Sequence, residues 1–325
     1  SVIIESTTGT EATVYLGGGV SNLIFDKLTV NGCMTSGASI SAGFGLYGCD
    51  NIIIRNCKIK VQTDDTKYGE YSGIYSPWQN GQFGYVLVEN NEIKNTQYGV
   101  YLEPNIISGP LHFRNNTIVS RYVGFTTYNN TMLAELSYNT IMYDTTSSRD
   151  YFYMLEGYGT YGSDPDTIWI VGNKFRVNSN ASATNFYNYC YFTDFYPSDA
   201  FILSNNEFYV PDKPNLSNAY FEFYYNDNMH FINNTFLTYK GSSYIYLDYG
   251  GGKTVIKNNN LVNLGGGNLI TVDSRSITES DYNNLYSTPT TLSDWKSVTG
   301  QDINSVSLNP YFLNPLVNLN LLDDG

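Results

Sequence analysis

Charge is scarce in this chain. Asp, Glu, Lys and Arg make up 14% of its 325 residues, and 17 basic residues face 30 acidic ones. The formal charge of −13 argues against nucleic acid or an anionic membrane surface as a partner, since both recruit positive patches. It equally disfavours unaided binding of pectin-like polyanions. Two histidines, His112 and His230, leave little room for histidine-based catalysis, and both are expected to be satisfied surface residues. There is no nucleophilic-serine motif, no phosphate loop and no His/Cys metal cluster. The four cysteines fit no metal spacing. No apolar run is long enough to cross a bilayer, so no membrane span is expected. No segment carries a sustained helical stripe.

What the chain has instead is one phrase, repeated. It reads LIFDKLTV (23–30), IIIRNCKI (52–59), VLVENNEI (86–93), LHFRNNTI (111–118), AELSYNTI (134–141), IWIVGNKF (168–175), FILSNNEF (201–208), MHFINNTF (229–236) and TVIKNNNL (254–261). A tenth, degenerate copy lies at 281–286, with its sixth position expected at Asn284. Sixth positions recur every 23 to 34 residues, a period that marks a repeat architecture. Positions one and three are apolar in almost every copy, position two often differs and position four is often charged or polar, which is the alternation of a strand. Each repeat is too short to bury a core alone, so neighbouring repeats must stack.

Position six is Asn in seven copies: Asn91, Asn116, Asn139, Asn173, Asn206, Asn234 and Asn259. Leu28 and Cys57 occupy it in the first two. Asn suits turns, and its amide both donates and accepts. Stacked at the strand spacing of about 4.8 Å, these amides are predicted to form an internal Asn ladder. Position four runs Asp26, Arg55, Glu89, Arg114, which predicts a solvated ladder of cross-strand ion pairs. Cys57 and Cys190 read as buried thiols. Cys33 and Cys49 are placed to approach across neighbouring coils, and whether they pair is left open.

A second strand precedes each phrase, as in FGLYG (44–48), SGIYS (72–76) and YGVYLEP (98–104). Paired-Asn turns, Gly-apolar-x-apolar strands and the closing run DYNNLYS, DWKS and GQDINSVSLNPYF (281–312) resemble the right-handed parallel β-helix family of secreted bacterial surface and carbohydrate-active proteins. The resemblance implies an all-β fold: a single right-handed parallel β-helix solenoid of about ten coils over residues 1–287, with a less regular segment at 288–325 packed on or capping it. It also implies a secreted or cell-surface protein, bacterial extracellular or periplasmic, an expectation that the Asn-, Tyr-, Ser- and Thr-rich composition shares. The chain begins at Ser1 and carries no signal peptide, so a mature or trimmed product, or one part of a larger protein, is expected. Sequons such as Asn115-Asn116-Thr117 fall in the Asn turns and read as structural.

The fold hosts many activities, so function must come from the site. The β-helix pectinases carry a Gly-Asp-Asp pair and a Gly-His-Gly. Here Asp64-Asp65 sits in QTDDTKYGEY and no Gly-His-Gly occurs. The lyase branch uses a basic residue beside calcium carboxylates, and basic residues are scarce on the expected face. If Leu46, Ile74, Val100, Phe125, Cys190 and Ile245 point inward, then Tyr47, Tyr75, Tyr101, Thr126, Tyr128, Tyr191, Tyr224 and Tyr246 point outward. Glu103, Glu156, Glu222 and Asp248 join them, and Asp273 continues the row. Tyrosine offers a flat apolar face with a polar tip, suited to sugar rings. Exposed tyrosines also simply favour strands and stack across them.

Tyr47, Tyr75, Tyr101, Tyr128, Tyr224 and Tyr246 are therefore candidate substrate-binding residues for a polysaccharide or surface glycan. Glu103, Glu156, Glu222 and Asp248 are candidate catalytic carboxyls. Glycoside hydrolysis needs an acid and a base or nucleophile. Glu103 and Glu156, two rungs apart, would stand about 9 to 10 Å apart at the backbone, within side-chain reach of the roughly 6.5 to 9.5 Å used by inverting enzymes. Glu222 and Asp248, on adjacent rungs, form a second pair. Loops at 33–42, 61–71, 145–150 and 177–184 would wall the groove, and Asp64, Asp65 and Glu70 offer weak hard-oxygen ligands for Ca²⁺; no other cofactor is expected. The class-level rival is a non-catalytic adhesin or structural surface module.

Overall fold

The computed structural model describes residues 2–6, 12–32, 40–61, 70–77, 82–103, 106–107, 109–128, 133–144, 147, 151–159, 166–176, 186–195, 197, 199–212, 216–248, 253–272, 277–287 and 292–312. They form a parallel β-helix. Each coil contributes a phrase strand, a strand after the Asn turn and a third strand. The phrase sheet stacks Val86–Glu89, Leu111–Arg114, Leu133–Ser137, Thr167–Val171, Ala200–Ser204, Met229–Ile232, Thr254–Lys257 and Ile277–Asp281 in parallel. The third sheet stacks Glu70–Ser76, Glu92–Leu102, Thr117–Thr127, Tyr151–Tyr158, Phe186–Thr193, Leu216–Tyr224, Tyr244–Asp248 and Ile270–Val272. The long strands Glu92–Leu102 and Thr117–Thr127 bend to serve both the second and third sheets.

The paired asparagines divide their labour. The first of each pair sits in left-handed backbone: Asn56, Asn90, Asn115, Asn205, Asn233 and Asn258 have φ of 53–56°. Asn tolerates this region better than most side chains. The second points inward. Asn116 donates from Nδ2 to Asn139 Oδ1 at 3.0 Å and to the Val88 carbonyl at 2.9 Å, while its backbone N–H donates to Asn139 Oδ1 at 2.9 Å. The same set recurs from Asn91 to Asn116, Asn139, Asn173, Asn206, Asn234, Asn259 and Asn283. The last rung is Asn283, not Asn284 as the sequence suggested. Asn284 instead donates to Asn260 Oδ1 at 2.9 Å. The degenerate copy thus begins three residues earlier, at Thr278, and Leu285 fills its buried eighth position.

Both ladder ends are finished by other chemistry. The Cys57 thiol donates to the Phe25 carbonyl, the acceptor position an Asn amide reaches elsewhere. Its backbone N–H donates to Asn91 Oδ1 at 2.9 Å. At the far end Asn283 donates from its backbone to Ser305 Oγ and from Nδ2 to Asp302 Oδ1. Asp302 is buried and also accepts from the Trp295 indole at 2.7 Å. Trp295 lies on the helix Leu292–Thr299, which follows the last strand, Asn284–Ser287.

Position eight supplies the core column Val30, Ile59, Ile93, Ile118, Ile141, Phe175, Phe208, Phe236 and Leu261, all at 0% exposure. Its isoleucines explain the glycines of the third strands. A Cβ on Gly73, Gly99 or Gly124 would come within 2.2–2.3 Å of Ile93, Ile118 or Ile141 Cγ2. A branched side chain therefore fills the space that the facing strand leaves bare. Leu46, Ile74, Val100, Phe125, Cys190 and Ile245 are buried, as expected. In the fifth copy Leu133, rather than Ala134, fills the inward first position, because a bulge places Glu135 opposite His112. The position-four ion ladder holds between Arg55 and Asp26 at 3.4 Å, whereas Arg114 turns to Glu135 of the next coil at 2.6 Å. Cys49, Cys57 and Cys190 are buried free thiols, and Cys33 lies outside the described residues.

Asn206→Leu removes acceptors from the Asn173 backbone and side-chain amides and the donor to the Ile170 carbonyl. Stranding these buried groups should cost at least about 2 kcal/mol. Asn205→Gly, one residue earlier in left-handed backbone, should change stability by less than about 0.5 kcal/mol. Denaturant midpoints of the two variants decide this, and equal midpoints would refute the division of labour.

Candidate functional site

Strand register decides which outward side chains meet. On the third sheet one column runs Tyr75, Tyr101, Thr126, Glu156, Tyr191, Glu222, Tyr246, Thr271. Two residues further along the strands lies a second column. It holds Tyr158, Thr193, Tyr224 and Asp248 in register, with Tyr128 stacked on Tyr158 at 5.3 Å. Glu103 belongs there too, one residue past the Leu102–Thr127 pair. Tyr47 is likewise two residues beyond Gly45, the partner of Tyr75. A third column carries Tyr98, Tyr153, Tyr189, Tyr220 and Tyr244, three residues before the first at Tyr98 and Tyr153 and, past a register shift, two residues before it at Tyr189, Tyr220 and Tyr244.

The rings form two continuous rows. One links Tyr15, Tyr47, Tyr75, Tyr101, Tyr128, Tyr158 and Tyr191 at centroid spacings of 4.4–6.3 Å. The other links Tyr98, Tyr122, Tyr153, Tyr189, Tyr220 and Tyr244 at 4.9–6.0 Å. The contact of Tyr98 with Tyr101 joins them. The second row was not legible as part of the site from the chain alone. Its signal was present in part, since Tyr189, Tyr220 and Tyr244 alternate with the inward Cys190, Phe221 and Ile245, whereas Tyr98 and Tyr153 stand two residues from the inward Val100 and Leu155 and break that alternation.

The face is more closed than the sequence implied. Tyr75 is 3% exposed, because the rings of Tyr47 and Tyr101 close over it. Thr126 is also buried. Tyr47, Tyr101, Tyr128 and Tyr246 are half-buried. The Tyr224 and Asp248 backbones keep the register, and their side chains lie outside the described residues. Asp273, Asp64 and Asp65, and the Glu70 side chain, lie outside them too, as do most of the proposed wall loops. Among the described residues no group of three or more His, Cys, Asp and Glu is placed to hold a metal.

Each described carboxylate of the set accepts from a tyrosine phenol. Tyr101 donates to Glu103 Oε2 at 2.7 Å. Tyr244 donates to Glu222 Oε1 at 3.1 Å. Glu156 Oε2 accepts from Tyr128 at 2.6 Å and from Thr126 at 3.2 Å. Burial pushes the Glu156 carboxyl above its usual range, and these two donors offset that only in part. Burial and the neighbouring Glu222 carboxylate in turn push the Tyr244 phenol up to about 12.

The carboxyl pairing differs from the expected one. Glu103 and Glu156 are two rungs apart but in different columns, so their offset along the strands adds to the separation. Glu222 and Asp248 occupy adjacent rungs, again in different columns, with Asp248 opposite Tyr224. The first column holds Glu156 and Glu222 two rungs apart, with Tyr191 between them, whereas Glu103 and Asp248 share the second column five rungs apart. Two rungs separate the Glu156 and Glu222 backbones by about 9 to 10 Å. No known family model, curated protein or solved structure matches this chain, so the site is read from its own geometry.

Glu156 gives the site a pH signature. Its pKa is higher folded than unfolded, so the folded state binds its proton more tightly than the unfolded state does. This contribution to stability is full below the unfolded carboxyl pKa and fades as pH rises through the folded value. Glu156→Gln cannot ionise, so its stability relative to the parent should improve from pH 4 to pH 8. A stability difference that stays flat across that range, in paired thermal melts, would exclude a raised Glu156.

Proposed function

We propose that this chain is a secreted or cell-surface β-helix protein of the carbohydrate-active, right-handed kind, and that it engages neutral polysaccharide along the tyrosine–carboxylate face of its third sheet. One observation carries the reading: two ring rows flank Glu103, Glu156 and Glu222, each of which accepts from a tyrosine or threonine hydroxyl. Such a surface supplies apolar faces for sugar rings and acceptors for sugar hydroxyls in one strip. The acidic balance of the chain favours a neutral over an anionic glycan.

Hydrolysis is a second reading, favoured by the raised Glu156 carboxyl. An acid catalyst must hold its proton near neutral pH, and burial is one way to ensure that. Protonated Glu156 would give its proton to the glycosidic oxygen as the C–O bond breaks. Glu222, in the same column, would take a proton from the water that attacks the anomeric carbon. The non-catalytic adhesin or structural module remains the rival, favoured by the phenols that already hold these carboxylates.

A panel of neutral and acidic polysaccharides, read both by retention and by release of reducing ends, separates these readings. Tyr101→Ala and Tyr246→Ala should each weaken neutral-glycan retention about tenfold, corresponding to about 1.4 kcal/mol. Where reducing ends are released, Glu156→Gln should lower turnover by a factor of about 10² or more, and Glu222→Gln likewise, with Glu103→Gln milder. Retention without release would leave the binding module, and retention indifferent to both tyrosines would remove the third sheet from the reading.

A further inference from the structure

The phrase sheet carries a second, unassigned cluster on its outer side. His112 Nδ1 lies 3.0 Å from Glu135 Oε2, and Arg114 Nε donates to the same oxygen at 2.6 Å. Ser137 Oγ donates to Glu135 Oε1, also at 2.6 Å. Burial pushes the Glu135 carboxyl up, but its bonds from Ser137, His112 and Arg114 outweigh that and hold it below the usual range. Glu135 is thus an ionised acceptor balanced by Arg114. Its register partner on the next rung is Trp169, which stands 48% exposed on a β-strand.

Tyr138 adds a second aromatic surface. It is 62% exposed and sits in left-handed backbone with φ 56°, at the position where six other copies place Asn. A bulky side chain there is uncommon and strained. The next rung accommodates it: the corresponding residue is Gly172, and a Cβ on that glycine would come within 2.5 Å of the Tyr138 ring. Two adjacent positions therefore depart from the repeat together, and the departure presents an aromatic ring to solvent. The preceding rung makes the same turn with Asn115, so the coil itself does not require a tyrosine there; Lys27 and Tyr282 are the other side chains that replace Asn at this position.

We infer that Trp169, Tyr138 and the Arg114-braced Glu135 form a further saccharide-binding subsite, for a neutral glycan, on the outer side of the phrase sheet. Trp169 and Tyr138 offer faces on which sugar rings stack, and Glu135 accepts from sugar hydroxyls. The charge balance of Arg114 with Glu135 suits an uncharged ligand. The patch spans the two rungs between Arg114 and Trp169, about 9 to 10 Å, room for one or two sugar rings. The inference rests on the glycan-binding reading, but it uses a different sheet and can fail separately.

The test is calorimetric titration of the whole chain with cellohexaose, laminarihexaose, xylohexaose and mannohexaose. Trp169→Ala and Tyr138→Asn should each weaken binding tenfold or more, and Tyr138→Asn should not lower the unfolding midpoint, because Asn suits that backbone. Loss of binding with an equal or higher midpoint assigns the tyrosine to the ligand rather than to the fold. Wild-type affinity in both variants, with Tyr101→Ala and Tyr246→Ala defective, would overturn the subsite and leave the third-sheet reading standing. Defects in Trp169→Ala and Tyr138→Asn alone would support the subsite and displace the third-sheet reading. No binding of any of the four oligosaccharides by the parent protein would overturn the subsite, while polysaccharide retention would still judge the third sheet.

Discussion

Every outward feature of this protein depends on the inward asparagine amide. Along the ladder each Oδ1 from Asn116 to Asn283 accepts twice from the preceding rung, and each Nδ2 from Asn91 to Asn259 reaches both the next amide and a backbone carbonyl. Such an amide leaves no spare donor or acceptor, which is the condition for burying it without penalty. The bonds also fix where each coil turns. A slip of one residue would bury the left-handed neighbour and expose the amide, so register is set at this corner. Columns of side chains on the other faces then line up over many rungs, and their own ring and ion-pair contacts form within that alignment.

The third sheet draws on that alignment. Glycines opposite the isoleucine column let the third strands lie close to the second sheet, so their outer sides stack as regular rows. Tyrosines in those rows cover one another, as Tyr75 illustrates, and the same cover dries the carboxyls between them. Glu156 feels this, because Thr126 beneath it is buried and Tyr128 lies across it. One arrangement of phenols thus does two things. It lines the outer side of the sheet with ring rows, and it places an acid where its charged form is disfavoured.

The repeat, its strands and the ladder were legible because they rest on local chemistry that recurs: alternation, a turn residue and a polar group with nowhere else to go. The end of the ladder was misread by one residue, since Asn283 and Asn284 are indistinguishable by composition and only the buried Leu285 resolves them. Site columns were harder. Placing Tyr47 beside Tyr75, or Glu103 beside Glu156, required knowing the register between strands of unequal length, and an offset of two residues keeps a side chain on the same face. Periodicity therefore identified the face and not the neighbours. The phenol–carboxylate bonds were beyond it as well, although Tyr101 and Glu103 sit two apart on one strand, a spacing that places both on one side.

The positions that break the repeat divide by what their surroundings ask of them. Cys57 replaces an amide yet donates to the same kind of carbonyl, and Asp302 with Ser305 completes the far end, so these exceptions preserve the ladder. Thr126 interrupts the tyrosine column yet supplies a hydroxyl to Glu156. Tyr138 and Gly172 do neither. Tyr138 exchanges an easy turn residue for a strained one, and Gly172 keeps the left-handed turn while making space for the tyrosine ring on the outside. Natural sequences tend to accept such local conflict where function requires it. In a fold whose interior is this repetitive, the exceptions that the interior does not explain are the ones on which the proposed saccharide subsite rests.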